Sequence, residues 1–124
     1  MYDIALTLCG LAAVGLLAVG VLALLSPTRL SRSYGVEVHD RAALVWVRAA
    51  GVRDIILGVM LAISAYLDDT AIVMALCAGG LVLSLADFTL ALTFARRIRS
   101  EHGAHIGGAI AFIVIIALFA QSTH

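Results

Sequence analysis

Four charged side chains interrupt stretches of sequence that are otherwise apolar: Arg48, Arg53, Asp54 and Asp87. His105 stands near the start of a further apolar run. At the centre of a bilayer a charge costs about 2.5–3.5 kcal/mol on insertion scales, so each such residue needs a partner or a purpose. Carboxylate, imidazole and guanidinium are also the set that acid–base chemistry uses. A carboxylate serves as base, a neutral His relays the proton, and an Arg holds an anionic or carbonyl oxygen. Asp54, Asp87, His105 and Arg53 are therefore the candidate catalytic residues, with Arg48, Trp46 and Ser84 as candidate ligand-binding neighbours.

Depth brings these residues together. At about 1.5 Å per helical residue from Ala42, Arg48 lies roughly 9 Å deep and Arg53 and Asp54 roughly 17 Å. The next span runs back, which puts Asp87 roughly 12 Å from its end at Ala95. His105 enters from that same side. Helical spacing gives the faces. Ala50, Asp54, Gly58 and Ala62 form one small-residue stripe, and Cys77, Gly80, Ser84, Asp87 and Ala91 share another, so both carboxylates are expected to point into a bundle. The last span opens with Gly103-x-x-x-Gly107 and Ala104-x-x-x-Gly108, read likewise as a packing face. Arg53 is about 100° around the helix from Asp54 and is expected to reach Asp87 more easily than its own neighbour.

The elements that position these residues follow from composition. Of 124 residues 63% are hydrophobic and 13% charged, and the mean hydropathy is +1.10. Sixteen charges cannot cover a water-soluble domain of this size, which excludes soluble globular folds. A net charge of zero gives no basic surface for nucleic acid. A bilayer core of about 30 Å needs roughly 20 apolar residues of helix. Runs of that length predict spans over 4–25, 42–67, 70–95 and 103–121. The expected fold is all-α, an antiparallel four-helix transmembrane bundle forming one domain over 1–124.

Boundary residues agree. Ser26-Pro27 ends the first span and opens a short interfacial helix over 27–34, with Gly35 as its stop. Asp40, Asp68 or Asp69, and Ser100 are the expected N-caps of the later spans. All eight basic residues are Arg. They concentrate in the loops after spans one and three, so the positive-inside rule places both loops in the cytoplasm and both termini outside, in a bacterial inner membrane. The first span is expected to stay uncleaved, because it has no basic leader and no A-x-A site.

The remaining polar residues carry less. His102 and His105 have a spacing that suits a metal or haem, but no second ligand pair lies at matching depth, so no metal or cofactor is expected. His39 is read as solvated. Cys9 and Cys77 fall at similar depths near the outer face, but are read as small apolar residues rather than a disulfide. Trp46 and Tyr66 are expected at opposite membrane interfaces.

The run Gly51-Val52-Arg53-Asp54-Ile55-Ile56-Leu57-Gly58 resembles a family of small four-helix membrane proteins, a domain-of-unknown-function family with a G-x-R-D-x-x-L-G pattern in the second span. Pro27, Tyr34-Gly35, Asp87 and His105 are similar to the rest of that pattern. The resemblance implies that Arg53, Asp54, Asp87 and His105 belong together, and it brings no activity, substrate or cofactor. Small multidrug-resistance transporters differ in carrying a Glu in their first span, and four-helix quinone reductases in carrying C-x-x-C. Neither feature is present here.

Three readings remain. The leading one is a site within the bilayer for a lipophilic small molecule with a polar or anionic end, its chemistry being isomerisation, cyclisation or epoxide opening. The second is a proton-coupled transporter, and the third a structural subunit whose ion pairs fix helix register. A homodimer is expected from the small-residue surface.

Overall fold

The computed structural model describes residues 1–33, 38, 40–95 and 103–122. They form five helices: α1 (Tyr2–Leu25), α2 (Pro27–Ser33), α3 (Arg41–Tyr66), α4 (Thr70–Ala95) and α5 (Gly103–Ser122). Three of them, over Tyr2–Leu25, Thr70–Thr93 and His105–Ser122, are long and apolar enough to cross a membrane. Such helices mark a membrane protein, because within lipid each backbone N–H and C=O must be satisfied inside its own segment. α3 is as long, but carries Arg48, Arg53 and Asp54. Leu11, Val14, Val82 and Ile110 face outward, as side chains do where the solvent is hydrocarbon.

The helix ends have local causes. Pro27, the one Pro of the chain, occupies the first position of α2, where its missing N–H costs nothing. The Ser26 carbonyl there accepts from the Leu30 N–H at 3.1 Å. Asp40 caps α3, its carboxylate accepting from the Ala42 N–H at 3.3 Å. At the other end the Asp69 N–H donates to the Ser64 carbonyl and the Asp68 N–H to that of Ala65. This Schellman closure needs a left-handed residue, and Asp68 supplies it at φ 60°. Asp69 then accepts from the Ile72 N–H at 3.1 Å, so α4 begins at once. Tyr34, Gly35 and Ser100, the remaining expected signals, lie outside the described residues.

Packing divides the molecule in two. α1 lies mainly on α3, and α4 on α5. In the half holding the α3–α4 turn, Ala5, Cys9, Ala13, Leu61, Val73, Cys77, Ile115 and Phe119 close into a solid core. Tyr2 tightens that end, donating a hydrogen bond to Asp68 and standing edge-on to Phe119 with ring centroids 5.5 Å apart. Cys9 and Cys77 are both buried there with free thiols. Toward α2, α1 and α3 meet backbone to backbone. A Cβ on Gly20 would lie 2.6 Å from the Gly51 carbonyl oxygen, and one on Gly51 would lie 2.8 Å from that of Gly20.

Two expected packing stripes change on inspection. On α3, Gly58 meets Ala13 as a stripe residue should, whereas Ala62 is exposed. The close contact belongs to Gly51, one position off the stripe. On α5, a Cβ added to Gly103 or Gly107 would meet nothing within 4 Å, and Gly108 alone of the glycines there packs, with Ser84 Oγ 3.2 Å from its Cβ position. The α4 stripe holds, since Cys77, Gly80 and Ala91 are buried.

Candidate functional site

The half of the molecule that carries α2 holds a partly open cavity of about 590 Å³. Every helix contributes to its wall. α1 presents Ala12, Leu16, Val19 and Ala23, residues three or four apart and so on one face. α2 adds Leu30 and Ser31, and Phe112 of α5 reaches across to Gly80 of α4. Gly80 makes that reach available: a Cβ there would lie 2.5 Å from the Phe112 ring. The wall is mostly hydrocarbon.

Its polar groups lie together. Arg53 and Asp54 of α3, Asp87 and Ser84 of α4 and His105 of α5 all line the cavity. The Arg53 guanidinium forms a fork onto Asp87, with NH2 donating to Oδ2 at 2.8 Å and NH1 to Oδ1 at 3.4 Å. It also grips Asp54, with Nε and NH2 donating to the same Oδ1 at 3.1 and 3.0 Å. The expectation that Arg53 favours Asp87 over its own sequence neighbour is thus half of the picture. Planar and long, the guanidinium spans both carboxylates where a Lys ammonium would have to choose. The three side chains keep partial exposure, 35% for Arg53, 17% for Asp54 and 31% for Asp87. His105 is half-buried and within electrostatic range of Asp54.

The other expected site residues divide. Ser84 is half-buried on the wall. Trp46 lines the cavity but is 77% exposed, so it stands at the rim. Arg48 is exposed and outside the wall. His39 and His102 lie outside the described residues. Tyr66 is exposed at the far end, beside the turn. The two thiols are unbridged and take no part in the cavity.

A family model described as a domain of unknown function, DUF4267, matches residues 13–119. The chain belongs to the DUF4267 family. No curated protein and no solved structure matches it significantly. The DUF4267 match begins at Ala13 within α1 and ends at Phe119 within α5, so it reaches all five helices and takes in every polar residue of the cavity.

Sequence reasoning misses the part that α2 plays. It places this short helix on the membrane surface, yet the buried Ser31 and its neighbour Leu30 form wall. The signal is present in the i, i+4 pair Pro27 and Ser31, which are the buried residues of α2. Gly20, which holds α1 against α3 beside the cavity, is equally silent in the sequence, one apolar residue among many.

Proposed function

We propose that this DUF4267 protein is an antiparallel four-span bundle, α1, α3, α4 and α5 crossing a bacterial inner membrane with both termini outside, and that its cavity binds a lipophilic small molecule. One observation carries the reading: Arg53, Asp54, Asp87 and His105, from three helices, meet on one wall of an otherwise apolar cavity of about 590 Å³. Ligand pockets combine apolar walls with a few convergent polar groups in this way. In this orientation the cavity occupies the cytoplasmic half, and α2 lies at the interface through which a lipid-soluble molecule would enter. Asp54 or Asp87 acts as base, His105 relays the proton, and Arg53 holds the carboxylates in place and stabilises charge. Isomerisation, cyclisation or epoxide opening needs no more than these groups. The small-residue surface suits a homodimer.

The Arg53 fork onto Asp87 favours a second reading, in which the network only ties α3 to α4. Thermal unfolding of the detergent-purified protein separates the two. Wild type, Arg53→Ala, Asp54→Asn, Asp87→Asn and His105→Ala are compared with and without a lipid extract of the source organism. A binding site predicts extract-dependent stabilisation of wild type that Asp54→Asn, Asp87→Asn and His105→Ala lose while melting near the wild-type temperature. A pure helix tie predicts much lower melting temperatures and no stabilisation by extract in any of them.

A further inference from the structure

We propose that the ligand of this cavity carries a positive charge on its apolar body. The inference rests on reading the cavity as a binding site, and concerns the end of the ligand that meets the ion network. It replaces the sequence-based expectation of a polar or anionic end with a cationic one. A guanidinium has five N–H donors. Arg53 directs one from Nε and one from NH2 to Asp54, and one each from NH1 and NH2 to Asp87. A single donor is left. An anion seated here would have to break the fork while facing two carboxylates.

Charge points the same way. Two carboxylates against one guanidinium leave a formal charge of −1, in a wall whose hydrocarbon makes uncompensated charge costly. Among the described residues the groups that can offset it are few. α1 and α2 present no ionisable side chain to the cavity, α4 presents none besides Asp87, and Arg48 of α3 lies outside the wall. His105 of α5 also lines the wall, within electrostatic range of Asp54. The docking position is Asp54 Oδ2, the carboxylate oxygen that Arg53 leaves aside, since both of its donors to this residue go to Oδ1. A lipophilic amine or onium ion fits, its charge beside Asp54 and its hydrocarbon along Leu16, Val19 and Phe112.

The test uses two probes of one shape and opposite charge, tetraphenylphosphonium and tetraphenylborate. Trp46 is the chain's single Trp and stands on the cavity rim, so its fluorescence reports binding to protein in neutral-lipid nanodiscs. The expected result is a saturable change with the phosphonium, with a Kd at least tenfold below that for the borate. Asp54→Asn is expected to lose tenfold in phosphonium affinity, and the comparison of the two ions on wild type stands even if that variant fails to fold. Equal or tighter binding of the borate overturns the charge assignment and leaves the pocket reading intact. No saturable change with either ion, while lipid extract still stabilises wild type, also overturns it. Silence of both ions and of the extract overturns the pocket reading and this inference with it.

Discussion

At the scale of single residues the polar network turns on Arg53, which donates to two carboxylates on two helices. Arg53→Ala leaves Asp54 and Asp87 facing each other without their cation. Removing one partner of a buried pair costs about 3–5 kcal/mol, and the partial exposure here reduces the expected loss to roughly 2 kcal/mol. Arg53→Lys keeps the charge but not the fork, and should fall between Ala and wild type in a denaturation series. Equal stability of all three would mean that the network contributes nothing to the fold. The grouping of Arg53, Asp54 and Asp87 was legible because depth in a helix is a linear count. The same count brought in Arg48, which lies outside the wall. Five residues before Arg53, at about 100° each, it points roughly 140° away around the helix, and depth alone does not see that rotation.

At the scale of elements, helix lengths and ends were legible, since apolar run length, Pro27, Asp40 and the Asp68-Asp69 pair act through local backbone chemistry. Which faces meet was less so. The stripe containing Ala50, Gly58 and Ala62 is spaced correctly, but close approach needs small residues on both helices at one level, and the partner of Gly51 is Gly20, far away in sequence. Gly20→Ala and Gly51→Ala drive a methyl into backbone oxygens and should cost at least about 1–3 kcal/mol, as overpacking does. Gly15→Ala and Gly107→Ala meet nothing within 4 Å and should melt near the wild-type temperature. A uniform response of the four would contradict the close α1–α3 contact. The Tyr2 bond to Asp68 was also hidden, because it joins the start of α1 to a turn that only the fold brings near. Tyr2→Phe keeps the ring against Phe119 and loses the bond, and is expected to lower the midpoint of thermal or chemical unfolding slightly.

At the scale of the whole molecule, composition identified the solvent: apolar residues face outward over helices long enough to span lipid. Orientation rests on Arg placement, and a C-terminal alkaline phosphatase fusion should be active, with a green fluorescent protein fusion at the same place dark. The opposite pattern would put the cavity in the outer half of the membrane. The cavity itself could not be read from the sequence. Its volume depends on which side chains fail to fill the half around α2, while the same residue types fill the half around Cys9 and Phe119. The central claim is that the space is a binding site, and native mass spectrometry of the protein released from mild detergent tests it most directly. A binding site predicts a discrete small-molecule adduct on wild type that is missing from a folded Asp54→Asn variant. Wild type flying without any adduct beyond bulk lipid, or an identical adduct on both proteins, would contradict it.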